Sequence, residues 1–166
     1  MGVVSGFVDF VIVVFSVVLA LTVPLIDAQI CLPSGFYPPA LVDLKRWYEE
    51  EYGDYLMKER PHFYIGLVWV EIVFLWPLSI ANIYGILARR PWAVTTALMA
   101  GISTATGMVS LMAEYLGSGR ASDKLLQLFT PFLAFSFFAI LKGLFSKPRH
   151  TVIKQSHAAA ARKKRA

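Results

Sequence analysis

The stretch WVEIVFLWP, Trp69 to Pro77, sets a carboxylate, Glu71, inside a run that is otherwise apolar. Counted from Phe63 at about 1.5 Å per residue, Glu71 lies roughly 12 Å down its helix, well below the headgroups of a membrane. At that depth an acid must face the protein interior, find a partner or keep its proton, because an exposed charge there costs several kcal/mol. Partners are few. Arg89 and Arg90 fall at the far end of the same span, whereas Asp27 closes the first apolar segment just after Pro24, whose missing N–H allows the chain to bend inward. Two acids meeting in a low-dielectric chamber cannot both ionise comfortably, so this pair is expected to share one proton. A ligand ammonium would then neutralise Asp27 while protonated Glu71 donates a hydrogen bond to the same carboxylate, leaving no charge unpaired. The alternative is that Asp27 sits in interfacial water and Glu71 bonds Asn82 or a backbone carbonyl.

The elements that must position these groups are read from composition and hydropathy. The chain has 166 residues, 57% of them hydrophobic and only 16% charged, a balance that argues against a water-soluble domain. Four runs approach the roughly 20 apolar residues needed to cross a hydrocarbon core: Val3 to Ile26, Phe63 to Leu87, Trp92 to Ala113 and Leu125 to Phe145. The predicted fold is all-α, a four-helix transmembrane bundle occupying residues 1–146, followed by a basic tail over residues 147–166. The first run lacks the basic flank and small-residue cleavage pattern of a signal peptide, and MGVVSG has Gly6 where a myristoylation signal needs Ser or Thr. Basic residues in the tail, together with Arg89 and Arg90, place both termini in the cytosol by the positive-inside rule. The terminal KKRA resembles a dilysine retrieval signal, which gives an expected address in the endoplasmic reticulum membrane.

Other features bound the chemistry. The net charge of +5 sits mostly in the tail behind a membrane helix, so anionic lipid is its expected partner and nucleic acid is not. Cys31 is the only cysteine, and His62, His150 and His157 stand at a helix start and in the tail. No metal site and no cofactor is expected from them. In the long connection, PPALVDLKRWYEEEY sets Leu41, Leu44, Trp47 and Tyr48 near one helical face, opposite Lys45, Glu49 and Glu50. It reads as an interfacial helix forming a lid, or equally as a plain interfacial anchor. Ser103, Thr106 and Ser110 recur on one side of the third span near Gly101 and Gly107, and FTPF stands at Phe129 to Phe132. These residues suit either close helix packing or the lining of a greasy pocket with one polar handle. The Gly101–Ala105 spacing also allows an association face for partner membrane proteins.

IDAQICLPSGFYP at Ile26 to Pro38, the Trp47–Tyr48 pair, GDYL around Asp54 and EIVFLWP at Glu71 to Pro77 resemble, as an ordered set, the sigma-2 receptor family of the EXPERA superfamily. The similarity runs from the first helix to the fourth. It implies a homodimer with a pocket for sterols and cationic amphiphiles, with a role in sterol homeostasis or trafficking and possible partners among sterol-trafficking membrane proteins. Carried over by motif, Asp27 is the ammonium partner, Glu71 its protonated neighbour and Asp54 a support for the lid. Leu44, Trp47, Tyr48 and Met57 would line the entrance or wall, with Phe129 and Phe132 as pocket rings that lack the family's tyrosine hydroxyls and Thr106 as a pocket hydroxyl. Two departures stand out: Leu75 replaces the usual glutamine after the glutamate, and Leu67 stands where the superfamily's sterol isomerase has a histidine. A sterol double-bond isomerase remains the alternative function, and a membrane scaffold the second alternative.

Overall fold

The computed structural model describes residues 3–146. The basic tail, with KKRA, His150 and His157, lies outside the described residues, as do Met1 and Gly2. Within them every regular element is helical: α1 (Val3–Leu25), α2 (Pro39–Tyr52), α3 (Tyr55–Glu59), α4 (His62–Val70), α5 (Trp76–Leu87), α6 (Ala93–Ser118) and α7 (Asp123–Phe145). Short 3₁₀ turns follow α1 at Asp27–Ile30 and Ser34–Phe36, and a π-helical turn, Glu71–Leu75, joins α4 to α5.

Four segments are long and apolar enough to cross a membrane: Ser5–Ile30, His62–Leu87, Ala93–Ser118 and Asp123–Phe145. The chain is a multi-pass membrane protein. A helix satisfies its own backbone polar groups, as hydrocarbon requires, and Phe7, Phe10, Val109, Leu116, Phe137 and Leu144 stay exposed on the outer faces. The third span runs past Ala113 to Ser118 because nothing interrupts it before Gly119, which takes the left-handed conformation at φ 64°.

Two prolines decide how the first and second spans meet. Pro24, in the last turn of α1, has no N–H to give to the carbonyl of Ala20 four residues back. The Trp76 indole Nε1–H donates to that carbonyl instead, at 3.1 Å. Pro77 likewise leaves the Val73 carbonyl without its α-helical donor, and the backbone widens: the Trp76 N–H reaches back five residues to the Glu71 carbonyl. With Trp76 held against Ala20, Asp27 lies about 10 Å along one helix from this contact and Glu71 about 7 Å along its antiparallel partner. The two acids are thereby brought to a similar level.

Helices α6 and α7 pack closely enough that a methyl group on Gly101 would sit 2.9 Å from Ala139 Cβ and 3.0 Å from the Ile140 nitrogen. Gly101 therefore belongs to a seam within the chain, and the expectation that it forms an association face is corrected. Helix α2 turns a mixed face inward. Lys45 is its buried residue and pairs with Glu49 at 2.7 Å, while Leu44 and Trp47 are 40% and 54% exposed. The helix turns the Leu41–Lys45–Tyr48–Tyr52 stripe toward the bundle. The Lys45 stem is apolar and its ammonium finds a carboxylate one turn on, so lysine is tolerated where the hydropathy pattern expects an apolar side chain. The Gln29 side-chain amide tethers α2 by donating to the carbonyls of Leu25, 2.6 Å, and Leu41, 3.0 Å.

Candidate functional site

A cavity of about 690 Å³ lies among α1, α2, the α4–α5 span, α6 and α7, within the range of small-molecule sites. Its walls follow helical periodicity. Tyr64, Leu67, Glu71 and Phe74 form one stripe of the second span, while Leu19, Thr22 and Ile26 form one of α1 and lead to Asp27. Asp27 is the first residue of the 3₁₀ turn and Glu71 the first of the π turn, so both acids hang from the points where regular helix gives way. Both acids line this same cavity. Among the described residues, neither the Asp27 nor the Glu71 carboxylate meets a cation or a hydrogen-bond donor of the protein. The lining holds no basic side chain and no histidine, and Leu67 fills the position one turn before Glu71.

Most of the expected site residues come together here: Asp27, Glu71, Trp47, Tyr48, Met57, Thr106, Phe129 and Phe132 all line the cavity. The rings are fixed by their neighbours, Phe129 stacking on Tyr115 at 5.7 Å and Phe132 meeting Phe15 edge-on at 5.4 Å. Thr106 donates its hydroxyl to the Ile102 carbonyl at 2.9 Å, leaving its oxygen free only as an acceptor. Ser103 lines the wall. Ser110 does not, and its hydroxyl bonds back to the Thr106 carbonyl at 2.9 Å.

Two expected residues stand apart. Leu44 is absent from the lining, because it lies a turn ahead of Trp47 and Tyr48 and the cavity reaches only the C-terminal end of α2. Asp54 also stays outside, at 1% exposure, and caps α3: its carboxylate accepts from the N–H groups of Leu56, 3.1 Å, and Met57, 3.3 Å. The same carboxylate takes hydroxyl hydrogen bonds from Tyr115 at 3.0 Å and Tyr48 at 3.3 Å, tying α3 to α6 and to α2. Burial pushes its carboxyl above the ordinary range, an effect the four donors only partly offset. Burial, followed by the charge of Asp54, pushes the Tyr48 hydroxyl up in turn, so it remains a donor.

The sequence reading passes over several lining residues, among them Tyr64, Thr22 and Thr104. Tyr64 lies seven residues, two helical turns, before Glu71, and that spacing was the available signal. Val70, Phe74, Met99, Ile102 and Thr106 both line the cavity and are exposed. The chamber therefore opens sideways, toward the hydrocarbon, between the second and third spans, while Trp47 and Tyr48 contribute its roof. Among the described residues no group of three or more His, Cys, Asp or Glu side chains is placed to hold a metal.

Comparison with known proteins adds a family. The family model described as EXPERA (EXPanded EBP superfamily) matches residues 40–148. Sigma intracellular receptor 2 of Xenopus tropicalis is 27% identical over 139 residues, covering 76% of this chain and 81% of its own. The proteins of the same name from Homo sapiens and Macaca fascicularis are each 29% identical over 91 residues, covering 54% of this chain and 52% of theirs. The match to these two spans about half of their length.

Proposed function

Because the chain belongs to the EXPERA superfamily, we propose that it is an intramembrane receptor for a sterol or a cationic amphiphile, held in the cavity between its four spans. The name of its relatives, Sigma intracellular receptor 2, supports the receptor role. The observation that carries the reading is that the Asp27 and Glu71 carboxylates face one largely apolar chamber with no cation or donor for either among the described residues. Two bare carboxylates in such surroundings are costly, and a proton shared between them removes half of that charge. An ammonium from the guest neutralises the rest, with protonated Glu71 donating to Asp27 and the ammonium seated on the other Asp27 oxygen. A sterol uses the same place through its hydroxyl, which donates to Asp27, while its rings lie along Phe129, Phe132, Leu19 and Met108. Asp54 takes part indirectly, holding Tyr48 and the start of α3 where they close the roof.

In the cell we assign this receptor to the endoplasmic reticulum membrane, with its ligands those of sterol homeostasis or trafficking. The test is equilibrium binding of a radiolabelled lipophilic amine and of a labelled sterol to the purified protein. Asp27→Asn and Glu71→Gln should each weaken amine binding by at least about tenfold, or 1.4 kcal/mol, with sterol less affected than amine by Asp27→Asn. Unchanged affinity in both variants would overturn the proposal. Conversion of a Δ8 to a Δ7 sterol by the purified protein would instead favour the isomerase reading, in which the two acids relay protons.

A further inference from the structure

A second crevice, of about 260 Å³, opens at the opposite end of the bundle from α2. It lies where the start of α1, the turn between α5 and α6, and the last turn of α7 converge, and its polar lining consists of Ser5, Asp9, Arg89, Arg90, Lys142 and Ser146. Lys142 Nζ forms an ion pair with Asp9 Oδ1 across α7 and α1. The one carboxylate is thus answered within the wall, and the two arginines supply positive charge in excess.

The turn that carries them is built to a fixed shape. A methyl on Gly85 would lie 2.7 Å from the Trp92 ring, so the two helices close tightly there. The Arg90 N–H reaches back to the Gly85 carbonyl at 2.7 Å. The Tyr84 and Trp92 rings stack at 6.2 Å, and the Arg90 guanidinium lies over Tyr84, 5.6 Å from the ring centre, while donating to its hydroxyl at 2.9 Å. Arg89 takes the left-handed conformation, φ 52°, where glycine is the relaxed choice after a helix. Among the described residues its guanidinium has neither an acidic partner nor a hydrogen-bond acceptor, the backbone N–H alone being engaged, by the Ile86 carbonyl at 3.1 Å. Arg89 is exposed at the rim of this basic crevice, so its guanidinium is available to an anion from outside the protein.

We propose that this crevice binds a phosphomonoester: the headgroup of an anionic lipid in the adjoining leaflet, seated between the guanidinium groups of Arg89 and Arg90. Guanidinium forks match phosphate oxygens in pairs, and a basic pocket between membrane helices at this depth suits a phosphorylated headgroup. Exposed Leu87 and Phe145 lie next in sequence to this region, where acyl chains would pass, and Ile86, Pro91 and Val94 give the crevice an apolar wall for the glycerol end. This site is separate from the acid-lined cavity and does not depend on that cavity's ligand.

The test uses the full chain in nanodiscs of neutral lipid doped with a phosphatidylinositol monophosphate, with retained lipid read by native mass spectrometry. Wild type should retain that lipid at least tenfold better than phosphatidylserine, which carries net negative charge without a phosphomonoester. Arg89→Gln and Arg89→Gly should each lose at least tenfold of the retention. Arg89→Gly also relieves the strained backbone, so it should melt no lower than wild type, which separates a lost contact from a damaged fold. Equal retention by wild type and Arg89→Gly would overturn the proposal, and so would equal retention of the two lipids. A soluble inositol bisphosphate that displaces the lipid at equal affinity would overturn the lipid source in favour of a free phosphate. Amine binding at the acid-lined cavity should be unchanged in the Arg89 variants, so failure of either site is read independently.

Discussion

At the scale of single residues, Asp54 separates two roles that a ligand-binding assay alone would merge. It is not itself part of the cavity lining, yet four donors converge on it, two of them from the lining residues Tyr48 and Met57. Asp54→Ala should cost about 3 kcal/mol in unfolding measurements, since it deletes a helix cap and strands two buried hydroxyls. Asp54→Asn keeps the acceptor and should lose far less. Its titration gives a second check. A carboxyl held above its ordinary value in the folded protein binds its proton more tightly folded than unfolded, so its contribution to stability is full below about pH 3.9 and declines as pH rises through the folded value. Melting temperature against pH should show that decline in wild type and lack it in Asp54→Asn. Asp27 and Glu71 were legible in the sequence because acids within apolar runs are conspicuous. Tyr115 as the partner of Asp54 was not, because a contact between residues so far apart leaves no local pattern.

Elements explain how the acids are aimed. Hydropathy reveals four spans, but the π turn at Glu71–Leu75 is a consequence of Pro77 that no apolar count displays. Pro77→Ala restores the missing N–H and lets the helix regularise, turning the residues before it by about 100° relative to those after it. Glu71 should then leave the cavity wall, with amine binding falling at least tenfold while thermal stability holds or rises; wild-type affinity in this variant would show that the widened turn does not aim the carboxylate. The α6–α7 seam has a plainer test. Gly101→Ala should destabilise by about 1–3 kcal/mol through overpacking against the backbone of α7. Gly66→Ala, with nothing within 4 Å of the added carbon, should stabilise by up to about 1 kcal/mol through helix propensity. Unfolding of both variants in one detergent makes the comparison. That Lys45 would be the buried residue of α2 was not legible, because a lysine stem packs as an apolar group when its charge is met one turn on, and a hydropathy scale counts only the charge.

Across the whole molecule, the two cavities lie at opposite ends, one largely apolar around carboxylates and the other basic. The acid-lined chamber has two boundaries of different kinds: a roof of Trp47 and Tyr48 tied down through Gln29 and Asp54, and a side open between the second and third spans. Ile102→Trp, placed in the side opening, should slow both association and dissociation of an amine severalfold with little change in affinity, whereas Trp47→Ala at the roof should leave the rates near wild type. Stopped-flow or filter-binding kinetics would read the difference, and the reverse pattern would make the roof the entrance. A mouth turned toward acyl chains changes what ligand concentration means. The guest dissolves in the bilayer first and is sampled there, so half-saturation should track its mole fraction in lipid rather than its amount in the aqueous phase. Adding empty vesicles at constant total ligand should empty the protein, and a more oil-soluble guest should look more potent in water without making a single better contact.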